Sequence, residues 1–168
     1  MHDDGSDPVE SGPATAAADA WLRAVTTGDH GVAWSLVDPD LRLANAQAWI
    51  VQTLGRGRDD ALAERLATAS STEPAWLACV RSNGEIWRST HKWWELCGWR
   101  ANAEPETSGS FVRVALALNL NLNADVAAFH HEMPLQHFIM RRRDEWRIAG
   151  IGRYVTFPGW PPTNHPFG

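Results

Sequence analysis

Tyrosine is nearly missing from this chain of 168 residues, where Tyr154 stands alone beside 10 tryptophans. Any mechanism that needs two phenols is thereby excluded. Cysteine is also scarce: Cys79 and Cys97 have neither CxxC spacing nor the density of a secreted scaffold, so both read as buried, reduced thiols. No apolar run reaches the roughly 18 residues that a membrane span needs, and the N-terminus lacks the cationic, apolar and small-residue succession of a secretory signal. A soluble, cytoplasmic protein with no membrane partner is expected. The net charge of -5 comes without a basic block. Arg141-Arg142-Arg143 is too short a footprint for phosphate binding and falls at an expected hairpin tip, so no nucleic acid is expected. A Gly-rich phosphate loop, a GxSxG elbow and a Cys-His nucleophile pattern are all absent, which argues against nucleotide and covalent chemistry. No cofactor is expected.

What the chain does have is tryptophan and one clear strand. From Val112 to Leu122 the even positions are Val112, Val114, Leu116, Leu118, Leu120 and Leu122, while the odd ones include Arg113, Asn119 and Asn121. This period of two belongs to a half-buried strand whose apolar face must be covered. The helical segments that could cover it all lie upstream. Helices followed by strands predict an α+β fold with helices on one face of a mainly antiparallel sheet. The length suits one domain with a core of its own, here taken as 14–155 between a flexible, acidic leader at 1–13 and a Pro-rich tail at 156–168.

The helical readings rest on spacing and on stop signals. Ala18, Trp21, Leu22 and Val25 form a continuous apolar stripe on a first helix from about Ala14 to Thr27, stopped by Gly28. Asp29 should cap a short second helix through Val32, Ala33, Leu36 and Val37, which Asp38-Pro39 ends. Asp40 is expected to cap a third helix with Ala46, Trp49, Ile50 and Leu54, and Asp59 or Asp60 a fourth with Leu62 and Leu66. Glu73-Pro74 opens another helix at Trp76, Leu77 and Val80, but Asn83-Gly84 predicts a turn that breaks it. The segment 85–110 shows no decisive pattern. The tail from Phe157 to Pro162 holds too much proline for a regular element.

Two segments resemble the nuclear transport factor 2-like superfamily, also called SnoaL-like, with its cone-shaped α+β fold. One is the helix and corner Ala20-Trp21-Leu22-Arg23-Ala24-Val25-Thr26-Thr27-Gly28-Asp29 with Asp38-Pro39-Asp40 after it. The other is the terminal hairpin Arg143-Asp144-Glu145-Trp146-Arg147-Ile148-Ala149-Gly150-Ile151-Gly152. The resemblance implies helices in the concave face of a curved sheet, a pocket inside the cone and a homodimer. It leaves 55–110 unaccounted for, and it does not settle an activity, because the superfamily holds cyclases, dehydratases, isomerases, hydrolases and members without chemistry. The first helix has no Tyr of the steroid-isomerase type, and the scytalone-dehydratase pairing of tyrosines and histidines is not matched by a lone Tyr154. An Asp-Arg-Asp hydrolase triad cannot be placed.

The candidate site follows from the expected hairpin register. A turn centred on Arg143-Asp144 sets Arg141 opposite Trp146, Ile139 opposite Ile148 and His137 opposite Gly150, so that 137, 139, 146, 148 and 154 share a face. His137 would then stand inside the cone as a general base or acid, with Tyr154 as the polarising donor and Asp125 or Glu132 as the orienting carboxylate. Trp21, Trp34, Trp49, Leu118, Leu120, Ile139, Trp146 and Ile148 would line an apolar pocket for a small apolar or aromatic molecule. A satisfied core histidine is the alternative for His137, and a one-residue slip of the hairpin turns it outward. His130 and His131, adjacent on the chain, lack the spacing of a metal site, and none is expected. His91 reads as a surface residue rather than a pocket wall. Trp87, Trp93, Trp94 and Trp99 fit a core, a pocket or a subunit contact. Two functions remain open: proton-transfer chemistry such as cyclisation, isomerisation or dehydration, or a non-catalytic binding or assembly module plugged by its own tryptophans. In the second, Arg113, Asn119 and Asn121 would form a dimer contact.

Overall fold

The computed structural model describes residues 12–102, 105–119 and 135–168. Among the described residues, six helices precede the main sheet. They are α1 (Pro13–Thr27), α2 (His30–Ser35), α3 (Pro39–Gln52), α4 (Asp60–Leu66), α5 (Pro74–Thr90) and α6 (Lys92–Cys97). Gly28, with φ 76°, ends α1 in the left-handed conformation that glycine adopts without strain, and its N–H returns to the Val25 carbonyl. Asp29 caps α2 through the Val32 N–H, and Asp59 caps α4 through the Leu62 N–H. The cap of α3 is Asp38, not Asp40, because proline at the first helical position leaves the Asp40 N–H as the orphan donor that the Asp38 carboxylate accepts at 3.0 Å.

The fifth helix departs most from its sequence. Asn83-Gly84 makes no turn, and α5 continues through it to Thr90. A Cβ on Gly84 would lie 2.2 Å from His30 Nδ1, so the ring of His30 fills the place of the missing side chain. A contact from a distant helix has thus overridden the local turn preference.

The strands are β1 (Trp99–Ala101), β2 (Glu106–Ser108), β3 (Phe111–Leu118), β4 (Leu135–Arg142) and β5 (Trp146–Ile151), followed by β6 (Tyr154–Phe157) and β7 (Thr163–Pro166). In the main sheet β1 and β2 both pair with β3, and β4 and β5 follow, all antiparallel. The far edge of β5 is not left bare. The Asp38 N–H donates to the Ile148 carbonyl at 2.7 Å and the Ile148 N–H to the Leu36 carbonyl at 3.0 Å, so the corner before α3 closes that edge. β6 and β7 form a separate two-stranded sheet, placing a strand within the Pro-rich tail. The Gly159 N–H in its turn donates to Gln47 of α3, and the Trp160 indole to Asp60 of α4.

The observed hairpin register differs from the expected one. Arg142 pairs with Trp146, Arg141 with Arg147 and Met140 with Ile148, which makes the loop three residues, 143–145. A shift between Ile139 and Met140 then sets Ile139 opposite Gly150. Because side chains alternate, the longer loop turns β4 over relative to β5. Phe138 and Met140 consequently join Val112, Val114, Leu116, Leu118 and Ile148 in the core beneath the helices, with α1 lying across β3, β4 and β5. His137 and Ile139 face away from that core. This corrects the expectation that both share a face with Trp146 and Ile148.

Candidate functional site

His137 lies opposite Ala115 on the outer face of the sheet, in line with Arg113 and Ile139. Its Nδ1 is buried and has no hydrogen-bond partner. Burial, followed by the Arg113 and Arg153 charges, pushes its pKa below the ordinary imidazole value, with Glu106 pulling the other way. Arg113 itself is engaged, forming an ion pair with Glu106 and lying 5.6 Å from the centre of the Phe167 ring. Tyr154 belongs to β6 and is half exposed, so it does not share a sheet face with His137 as expected. Asp125, Glu132, Leu120, His130, His131 and Asn121 lie outside the described residues. No acid–base pair is assembled by His137 and Tyr154.

The space between the helices and the sheet is organised around Trp21. Its ring meets those of Trp87, His91 and Phe138 edge to face, with centroids 5.4, 5.5 and 5.5 Å away, and Trp87 stacks on Trp34 at 6.1 Å. Such offset contacts let the positive ring edge meet the negative face. Trp21, Trp34 and Phe138 are fully buried, and Trp49, Leu118 and Ile148 belong to the same core, with Trp146 packed against it. Ile139, expected in this set, is buried on the opposite face. The second tryptophan group is divided: Trp87 and Trp94 are core, whereas Trp93 is exposed and the Trp99 indole donates to Asp19 at 2.8 Å.

His91 is the residue that sequence reasoning missed. It joins α5 to α6 and is only 1% exposed, not on the surface. Its Nδ1 donates to the Trp87 carbonyl at 2.7 Å, and its Nε2 lies 3.1 Å from Gln136 Oε1. Gln136 donates in turn to the His137 carbonyl at 2.9 Å, which locks the helix corner to β4. Desolvation pushes the His91 pKa below its usual value, outweighing both hydrogen bonds. A signal existed in sequence: His91 stands four residues after Trp87, a spacing that brings its ring back to that carbonyl.

The acidic corner is structural. Asp38 is 1% exposed and accepts from Arg143 Nε at 3.1 Å, while Asp40 accepts from Arg141 at 2.8 Å and Arg143 at 3.0 Å. Two arginines of the hairpin tip therefore clamp α3 while remaining partly exposed to water. Nearby, buried Arg42 donates to the carbonyls of Ala67 at 2.7 Å and Val37 at 2.8 Å, tying α3 to α4 and to the corner. Its pKa is lowered, chiefly by burial. Cys79 and Cys97 are buried free thiols, and burial pushes the Cys79 pKa up to about 12, which leaves it unreactive.

Among the described residues, open clefts of about 410 Å³ each indent the surface at two places. One is lined by His30, Glu85, Arg88, Ser89, Lys92 and Glu95, the other by residues including Leu36, Arg142, Glu145 and Trp146. Among the described residues no cluster of His, Cys, Asp and Glu could hold a metal ion, and no helix is long and apolar enough to cross a membrane. Compared with known proteins, the chain matches no family model, no curated protein and no solved structure.

Proposed function

We propose that this chain is a non-catalytic binding or assembly module built on the NTF2-like cone, with an interior occupied by its own aromatic side chains instead of a substrate. The α+β order, with six helices covering an antiparallel sheet, supports the cone. The functional part of the reading rests on one observation. Trp21, Trp87, His91 and Phe138 pack edge to face between α1, α5 and β4, where a cone enzyme needs open volume. Proton-transfer catalysis also asks for an acid and a base around one cavity, while His137 lies on the outer sheet face and Tyr154 on another sheet. The module then works through its surface, as a homodimer.

Titration with indole, a probe of the size and polarity that an apolar cone pocket would accept, tests the reading. With the Trp21 Nε1–H signal followed by NMR, the wild type should show no saturable shift up to about 2 mM. Saturable binding that moves this signal would restore the competing reading, an internal pocket for a small apolar or aromatic molecule. Sedimentation should give a dimer at about 50 μM, the range of modest interfaces. A monomer there would remove assembly from the proposal.

A further inference from the structure

The cleft between α2, α5 and α6 has features of a built site. Glu85 and Ser89 share one side of α5 at i and i+4, with Arg88 beside them, and Lys92 and Glu95 reach the cleft from α6 beyond the His91 corner. Two glycines make room for its walls. Gly84 admits the His30 ring, whose Cγ and Nδ1 would be 2.4 and 2.2 Å from an added Cβ. Gly28 stands where a Cβ would be 2.8 Å from Arg88 Nη1. Glycine inside a helix is unfavourable relative to alanine, and at Gly84 it leaves the place that the His30 ring occupies. With Nδ1 buried and unpartnered against α5, the ring's other nitrogen, Nε2, is the polar atom left for the cleft.

The charges decide what fits. Arg88 and Glu95 neutralise each other through a 2.8 Å ion pair. Glu85 on α5 and Lys92 on α6 form no ion pair among the described residues and bring one charge of each sign, the Lys92 charge acting also on Glu95. A simple anion entering the cleft would meet Glu85 and Glu95, and a simple cation would meet Arg88 and Lys92. A molecule carrying both charges escapes either repulsion. We propose that this cleft binds a small dipolar ligand of the amino-acid class, with its carboxylate toward Lys92, Ser89 and His30 Nε2 and its ammonium toward Glu85. The cleft volume of about 410 Å³ lies within the range of small-molecule sites. Indole entering the interior would overturn the proposed function and leave this inference standing, because no cleft residue belongs to the Trp21 cluster.

The test is an NMR titration of the full chain with L-serine, L-glutamine and L-leucine, each taken singly to about 20 mM, beside acetate and methylamine as single-charge controls. At least one amino acid should give saturable shifts at the Gly84 and Ser89 amides, with either control about tenfold weaker or more. Glu85→Gln and Lys92→Ala alter exposed side chains and should keep the wild-type spectrum elsewhere while weakening binding about fivefold or more. The inference is overturned by an absence of saturable shifts with all three amino acids, by equal shifts from a control, or by unchanged affinity in both variants.

Discussion

The two faces of the main sheet are built from one alternating pattern yet do different work. On the helix side Val112, Val114, Leu116, Phe138, Met140 and Ile148 belong to one core with Trp21, whose ring Phe138 meets edge to face. On the outer side Arg113, His137 and Arg141 alternate with Ala115 and Ile139, and Arg113 and Arg141 lie over the rings of Phe167 and Phe111. Apolar burial holds the first face, and charge and ring contacts near water dress the second. Under the proposed function the contrast separates a filled interior from a periphery that meets partners.

The largest effect that would break this contrast is expected at Trp21. Trp21→Ala should cost about 3–5 kcal/mol in denaturant unfolding, because the rings around it cannot collapse into its volume. On the outer face Arg113→Ala should cost about 1 kcal/mol, as its partner Glu106 is exposed to solvent and the pair is screened. Equal costs would erase the distinction. Next in size, Asp38→Ala removes a helix cap and one partner of Arg143, for about 2 kcal/mol; Asp40 remains to receive the half-exposed guanidinium, which holds the loss to that figure. Then Gly84→Ala should destabilise by about 1 kcal/mol or more by thermal unfolding, because the clash with His30 exceeds the gain in helix propensity. A stabilised variant would show that His30 moves aside at no cost.

The smallest effect is the most selective. The folded pKa of His91 lies below its unfolded value of about 6.5, so the unfolded chain takes up the proton first and stability falls as pH drops below about 6.5. His137 contributes with the same sign, its pKa lowered first by burial and then by Arg113 and Arg153. His91→Gln should flatten the decline in unfolding free energy between about pH 6.5 and 5 more than His137→Gln does, since His91 is the more deeply buried. The opposite order would place the tighter environment on the outer face.

Much of the framework was legible because its causes are local. Gly28 stops α1, Asp29 caps α2, and the alternation from Val112 to Leu118 marks a covered strand. The candidate site was less legible, because each of its parts depends on distant contacts or on one residue of loop length. A three-residue loop in place of a shorter turn moved His137 and Ile139 to the outer face and brought Phe138 and Met140 in. Asn83-Gly84 reads as a turn until His30 is known to occupy the glycine's empty side. His91 looked like surface beside Lys92, yet its partners are Trp87 and Gln136, the latter 45 positions later.

Hydrogen exchange at the Trp21 indole tests the closed interior most directly. Trp21 Nε1 is buried and has no hydrogen-bond partner, so packing alone protects its proton from water. The account predicts that this N–H exchanges as slowly as the most protected backbone amides of α1, through global unfolding. Exchange within minutes at neutral pH, while the α1 amides stay protected, would mean that water reaches Trp21 in the folded protein and would contradict the filled interior.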